Sequence, residues 1–156
     1  MPVVSRRAPA APGQSTGAGG RPVMLATLAV PFDTDAVTFA VDSAVELGQR
    51  LIVANFVEWA PLPLSTMLGY DDLPYPPQLD ESLKAPVKLA LSLGVEVTRL
   101  RVKSFHPIPA MVEVIAEQAP GIFVFGPDRA RIPRFRYRRA VRAIRSRTGT
   151  LLWTAE

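Results

Sequence analysis

The sequence predicts an α/β protein whose mainly parallel sheet has five strands and four helices, and three observations lead to this fold class. Short apolar runs alternate with stretches in which apolar residues recur at helical spacing. The first runs are apolar on both faces, as in parallel strands that helices cover on both sides. Glycine, proline or aspartate stands at most junctions, where such residues end strands and cap helices. Strict alternation of this kind is typical of a doubly wound sheet.

The first strand, helix and second strand form a βαβ unit. Residues 23–30 are an apolar run, residues 36–47 repeat apolar side chains at helical spacing, and residues 51–57 are the second run. Gly48 suits the helix end, where a positive φ is common. A strand, a helix and a strand within about forty residues are typical of this unit, so we expect two parallel strands joined by a right-handed crossover.

One irregular segment interrupts the alternation. Residues 60–80 hold five prolines, which exclude a long helix, so we predict a loop that is a packed connection, a lid or a partner contact. Three further helices and three further strands complete the order, and they span residues 79–93, 95–102, 107–118, 122–125, 135–146 and 149–154.

The N-terminal segment differs in composition from the rest of the chain. Residues 1–21 are rich in proline, alanine and glycine, so we predict a disordered tail ahead of one domain over residues 22–156. This segment has no apolar core of a signal peptide. Nowhere does the sequence reach the roughly 20 apolar residues that span a bilayer. With no cysteine, thiol chemistry and disulfides are excluded, and we expect a cytoplasmic protein that does not contact membranes.

Positive charge is concentrated in one segment. Nine of the 18 basic residues are arginines within residues 129–147, and no acidic residue lies among them. Subtracting these charges from the formal net charge of +4 leaves an acidic remainder. The segment follows the strand at residues 122–125, and ligands of open α/β sheets bind at the carboxyl ends of strands. We therefore expect contact with an anion, an acidic protein surface or nucleic acid here.

Signals for catalysis and for metal binding are weak. His106 is the single histidine, and no acid is placed to orient its ring for a catalytic triad. Asp71 and Asp72 are adjacent carboxylates on a predicted loop, and no histidine joins them as a ligand. We therefore predict a protein that is not an enzyme, with no catalytic residues and no metal site.

The elements taken together resemble the universal stress protein family over residues 22–155. Residues 36–48 are similar to the first helix of that family with its Leu-Gly exit, and residues 56–58 to the end of its second strand. Residues 107–118 resemble its third helix, and residues 122–126 its fourth strand with the terminal glycine. The resemblance implies a flavodoxin-like (adenine nucleotide alpha hydrolase-like) domain and a role in stress response.

The same resemblance implies a homodimer. Members of the family pair their last strands, and the backbone of such an edge strand would otherwise be exposed. The matching dimer edge in this chain consists of Thr150, Leu151, Leu152, Trp153 and Thr154.

The chain departs from the nucleotide-binding pattern that the family implies. ATP-binding members have an aspartate at the end of the first strand, where this chain has Leu28. They also carry the loop Gly-x2-Gly-x9-Gly-Ser/Thr. Gly126 fills its first place, but Arg129, Arg139 and Ala140 stand at the others. Glycine allows backbone N–H groups to approach phosphate, so we do not expect ATP binding of the family type and predict no cofactor.

Two functions remain open at this point. The first is a regulatory or interaction module in stress response. The second is a module that binds a nucleotide, a phosphate or a polyanion such as nucleic acid, because guanidinium groups bind phosphate bidentately. Its candidate ligands are Gly126, Arg129, Arg131 and Arg139. Phe135 and Tyr137, which alternate with arginines, are candidate stacking groups for bases.

Overall fold

The structure, a computed structural model, describes residues 3–6, 20–59 and 77–155. Six strands and four helices follow one another in these residues. In chain order they are β1 (Val3–Arg6), β2 (Val23–Thr27), α1 (Thr34–Leu47), β3 (Leu51–Glu58), α2 (Pro77–Ser92), β4 (Val97–Ser104), α3 (Pro107–Gln118), β5 (Ile122–Phe125), α4 (Arg134–Arg147) and β6 (Leu151–Thr154).

The strands form one sheet in the order β1-β4-β3-β2-β5-β6. The five strands from β2 to β6 are all parallel, and four helices connect them, so the predicted α/β fold is confirmed. From β2 the chain first winds outward through β3 to β4, and it then returns to the other side of β2 to add β5 and β6. The strand order therefore reverses between β2 and β5, and this reversal is where ligands of such sheets usually bind.

Helices cover the sheet on both faces, and each face has its own apolar core. The core beneath α1 and α2 includes Val23, Leu25, Ala40, Val53, Leu83 and Val124. The core beneath α3 and α4 includes Met24, Ile52, Phe56, Met111, Phe123, Phe125 and Ile144. Alternate residues of the same strand enter opposite cores, as the pleat of a strand requires. Within the described residues, no helix is long and apolar enough to cross a bilayer.

Helix α1 begins and ends as its sequence predicts. Asp33 is the N-cap residue, and its Oδ1 accepts hydrogen bonds from the backbone N–H groups of Asp35 and Ala36 at 2.9 and 3.1 Å. Gly48 closes the helix with a φ of 62°. The N-cap fixes the start of α1 directly above the carboxyl end of the sheet.

The N-terminal segment differs from its prediction at Val3–Arg6. These four residues form β1, which pairs antiparallel with β4 and places Val3 opposite Lys103. A run this short has no periodic signal of its own, and it becomes a strand because the edge of β4 offers hydrogen-bonding partners. Residues 1–2 and 7–19 of the tail predicted at 1–21 lie outside the described residues, and so do residues 60–76 of the loop predicted at 60–80.

Helix α2 also begins earlier than predicted. It starts at Pro77 instead of residue 79 and continues through Pro86. Proline is favoured in a first helical turn because its missing N–H has no helical partner there. Proline in a helix interior removes one backbone hydrogen bond, yet the helix continues through Pro86 to Ser92.

Candidate functional site

The candidate site lies between β2 and β5, where two loops leave the carboxyl ends of neighbouring parallel strands. We call the loops at residues 28–33 and 126–133 the switch loops. In an open α/β sheet, a ligand at this position would lie between two such loops. The contacts between them therefore decide whether a crevice is present.

The switch loops are hydrogen-bonded to each other through their backbones. The N–H of Asp33 donates to the carbonyl of Gly126 at 2.9 Å, and the N–H of Asp128 donates to the carbonyl of Pro31 at 2.8 Å. Phe32 and Pro127 form an isolated antiparallel bridge between these bonds. These backbone groups of the two loops therefore bind one another.

Buried polar side chains hold the first switch loop in its conformation. Thr27 is fully buried and its Oγ1 donates to the carbonyl of Val30 at 2.8 Å. Asn55 is also buried, and its Oδ1 accepts from the N–H of Ala29 at 2.9 Å. Ala29 has a φ of 56°, which is unusual for a residue with a Cβ. Sequence reasoning missed Thr27 and Asn55, although each is a polar residue that interrupts an apolar run.

Leu28 fills the position at which the family resemblance implies an aspartate. Its side chain is 1% exposed and belongs to the same apolar cluster as Phe125, Ile132 and Tyr137. The Phe125 and Tyr137 rings stack with centroids 5.3 Å apart. Apolar side chains from both switch loops, β5 and α4 therefore occupy the space beside the strand ends.

Gly126 is the one glycine that the chain shares with the implied nucleotide-binding loop, and packing accounts for it. A Cβ at this position would lie 2.6 Å from Cβ of Ala36 and 3.0 Å from Cδ1 of Leu25. Both distances are shorter than ordinary carbon contacts. Gly126 thus allows α1 to approach β5, and this role requires no phosphate.

The predicted anion ligands Arg129 and Arg131 both contact their own chain. The Arg129 guanidinium lies over the Tyr137 ring at 3.9 Å, and its Nη1 donates to the carbonyl of Ala155 at 3.4 Å. Nε of Arg131 lies 3.6 Å from Oδ2 of Asp128.

Arg139, the third predicted arginine, is exposed on α4. Residues two positions apart in an α-helix point in directions that differ by about 200°. Arg139 therefore lies on the other side of α4 from Tyr137. The structure therefore gives the three arginines different surroundings, and joint anion binding by them stays a prediction.

A second feature is the exposed face of α4, which we call the basic face. Its arginines are Arg134, Arg138, Arg139, Arg142 and Arg145, and all of them are exposed. Within the described residues, no carboxylate lies within ion-pair distance of these five side chains. Phe135 lies on the same face and is 73% exposed. A shallow open pocket of about 450 Å³ is lined by Tyr137, Arg138, Val141, Arg142, Arg145 and Ser146.

A third feature is strand β6 at the edge of the sheet. In the part of the chain that the structure describes, β6 pairs with β5 on one side and with no strand on the other. Leu151 is 67% exposed, and the Trp153 ring stacks on Phe39 with centroids 4.6 Å apart. The predicted dimer edge at residues 150–154 is thus an edge strand with an apolar neighbourhood.

Potential catalytic and metal-binding groups do not converge in the described residues. Ser104 and His106 lie at the carboxyl end of β4, where Ser104 Oγ accepts from the backbone N–H of His106 at 3.1 Å. This bond forms a turn and leaves the imidazole uninvolved. No group of three or more histidine, aspartate or glutamate side chains in these residues could hold a metal ion.

The fold and these three features define a class of protein: a doubly wound α/β domain whose switch loops close on each other. No family model and no curated protein sequence matches the chain. Solved structures match it over most of its length, and all those described below are universal stress proteins.

Three of these structures show the extent of the likeness. A universal stress protein in complex with cAMP is 17% identical, with a TM-score of 0.56 over 88% of this chain and 97% of that chain. A member of the family from Burkholderia pseudomallei is 15% identical, with a TM-score of 0.57 over 89% and 99%. The protein from Archaeoglobus fulgidus in complex with dAMP is 14% identical, with a TM-score of 0.56 over 87% and 98%. The chain has the universal stress protein fold, so the predicted resemblance is confirmed at the level of the fold.

Proposed function

We propose that the chain is a divergent universal stress protein that acts as a regulatory or interaction module in stress response and does not bind ATP in the family manner. The observation that carries this proposal is the pair of backbone hydrogen bonds between the switch loops, Asp33 to Gly126 and Asp128 to Pro31. Leu28 supports it, because a buried leucine replaces the implied carboxylate beside the ligand. A protein of this kind recognises partners through its surface and catalyses no reaction.

Adenine nucleotides are the ligands to test, because two of the structural neighbours are complexes with cAMP and dAMP. We expect millimolar ATP, AMP or cAMP to leave the melting temperature unchanged. A ligand present at about 100 times its Kd would add about 2.7 kcal/mol to the free energy of unfolding, a shift that thermal denaturation detects easily. Stabilisation by a nucleotide that persists at moderate salt, or an equimolar adenine nucleotide that co-purifies with the protein, would contradict this proposal.

The second part of the proposal is a cytoplasmic homodimer formed through β6. An unpaired strand edge presents backbone N–H and C=O groups that a second copy can satisfy. The exposed Leu151 and the stacked Phe39 and Trp153 add apolar area beside that edge.

Replacing Leu151 by aspartate should weaken this dimer. The substitution puts a charge beside the two-fold axis in both copies, so we expect the dimer dissociation constant to rise at least about tenfold, or about 1.4 kcal/mol. Sedimentation velocity over a range of concentrations measures it. The matched control is Leu91→Asp on α2, where the leucine is 59% exposed and lies far along the chain from β6. Equal dimerisation of Leu151→Asp and Leu91→Asp would show that β6 is not the interface.

A second candidate function is polyanion binding by the basic face of α4. The observation that favours it is the absence, within the described residues, of carboxylate partners for its arginines. Exposed arginines without counter-charges attract phosphates or carboxylates of another molecule, and such binding weakens as salt rises.

A further inference from the structure

The basic face of α4 has two flanks, and they face different parts of the sheet. Nη2 of Arg136 lies 3.5 Å from Oε2 of Glu58 at the end of β3, and the Arg136 side chain is 28% exposed. This flank therefore faces the inner strands. Helical periodicity of about 100° per residue places Arg138, Val141 and Arg145 on the opposite flank. Since the sheet order is β3-β2-β5-β6, that flank faces the β6 edge.

Contacts of β6 agree with this orientation. Leu152 and Val141 both pack against the core beneath α3 and α4. Trp153 packs against the core beneath α1 and α2. Side chains alternate along a strand, so Leu151 lies on the same face of the sheet as Trp153. One side of the β6 edge is therefore apolar, and the other side carries the arginines of α4.

Antiparallel pairing of two β6 strands would place like faces side by side. The two-fold axis of such a pair is perpendicular to the sheet, so each face of one copy continues into the same face of the other. On one face, Phe39, Leu151 and Trp153 of both copies come together. On the other face the two α4 helices become neighbours, and their arginine-bearing flanks face each other.

We propose that the two neighbouring α4 helices of the dimer form one arginine-lined channel that binds a single strand of nucleic acid, so that strand binding and dimerisation are coupled. This inference rests on the proposed β6 dimer and deepens the second candidate function. Without a ligand, the facing arginines repel one another and oppose pairing. A phosphate chain between them removes the repulsion and releases its own counterions.

The spacing and the chemistry of the channel favour a nucleic acid strand over an acidic protein. Arg134, Arg138, Arg142 and Arg145 follow one another along the exposed side of α4. With a rise of about 1.5 Å per residue, they place a cation about every 4.5 to 6 Å along the helix axis, which suits a linear chain of anions better than a single anion. Phe135 lies one turn from Arg138 and is 73% exposed. Nucleic acid bases stack on aromatic side chains that lie beside arginines. An acidic peptide makes no comparable contact with an exposed phenylalanine.

Sedimentation velocity and fluorescence anisotropy with a short unstructured oligothymidylate test the coupling on the full chain. We expect the oligonucleotide to lower the dimer dissociation constant at least about tenfold, with one strand bound per dimer, and its affinity to fall steeply with salt. By linkage, the dimer must bind the oligonucleotide more tightly than the monomer by the same factor.

The test variant replaces three channel arginines by glutamine: Arg138→Gln, Arg142→Gln and Arg145→Gln. We expect at least a tenfold loss of oligonucleotide affinity and a smaller salt dependence, together with a tighter dimer in the absence of ligand. The matched control carries the same change in charge at exposed arginines outside α4: Arg21→Gln, Arg50→Gln and Arg99→Gln. An equal loss in the control would overturn the assignment to the channel.

The remaining outcomes separate this inference from the proposed dimer. A wild-type protein that dimerises through β6 but whose dimerisation does not respond to the oligonucleotide would overturn the inference and leave the dimer standing. A wild-type protein that stays monomeric with and without the oligonucleotide would overturn both. Equally strong coupling by polyglutamate of the same charge would identify an acidic protein as the partner and overturn the nucleic acid assignment.

Discussion

Substitution of Leu28 by aspartate is expected to unfold the protein and not to create a nucleotide site. Leu28 is 1% exposed and lies in the apolar cluster that also contains Phe125 and Ile132. Truncating a buried leucine costs about 2 to 5 kcal/mol. Placing an unpaired carboxylate in the same space adds several kcal/mol more. The total approaches the whole stability of a typical domain, which is about 5 to 15 kcal/mol.

Urea denaturation of three variants measures this effect. Leu28→Asp should lose at least about 4 kcal/mol, and Leu28→Met, which conserves volume, should lose less than about 1.5 kcal/mol. The control Leu47→Asp makes the same chemical change at a leucine that is 53% exposed, and it should be nearly neutral. A Leu28→Asp protein that is as stable as the wild type would contradict the conclusion that apolar side chains fill this site. A variant that also gains ATP binding would contradict it decisively.

Substitution of Gly126 by alanine has the second largest expected effect. The added Cβ would lie 2.6 Å from Cβ of Ala36, and neither residue can move freely because both are buried in the contact between β5 and α1. Overpacking of this kind costs about 1 to 3 kcal/mol. The movement of α1 would also disturb the hydrogen bond from Asp33 to the carbonyl of Gly126.

A control and a rescue make the Gly126 prediction specific. Gly149→Ala adds the same methyl group where nothing lies within 4 Å, so its free energy of unfolding should hardly change. Ala36→Gly removes the clashing methyl group, and the double variant Gly126→Ala with Ala36→Gly should be more stable than the sum of the single effects predicts. If the changes in the free energy of unfolding were strictly additive in this cycle, the side chains at positions 126 and 36 would not clash, and the prediction would be wrong.

Local signals in the sequence were sufficient for the order of the elements. Helix α1 illustrates this, because the N-cap Asp33 and the exit glycine Gly48 act within the chain segment that they terminate. The strands β2 and β3 are apolar on both faces, and the structure buries them on both faces. Such features depend on neighbours in sequence and can therefore be predicted without a tertiary structure.

Features that depend on distant partners could not be predicted in the same way. Strand β1 exists only because β4 offers an edge. The roles of Thr27 and Asn55 depend on the path of the first switch loop. The sequence revealed that Arg129 replaces an implied glycine, but not that its guanidinium would contact Tyr137 and the carbonyl of Ala155. Charge concentration indicates that a surface is basic, whereas the partners of each arginine follow from packing.

Strand β1 has a consequence for how many copies could assemble. Without β1, the eight-residue strand β4 would be the second edge strand of the sheet, and copies could pair edge to edge into an open-ended assembly. Covering β4 with a four-residue antiparallel segment leaves a much shorter border on that side. Short border strands are poor templates for further pairing. For the dimer that we propose through β6, the short β1 border disfavours further pairing at the opposite side of the sheet, so we expect a closed pair and no fibres.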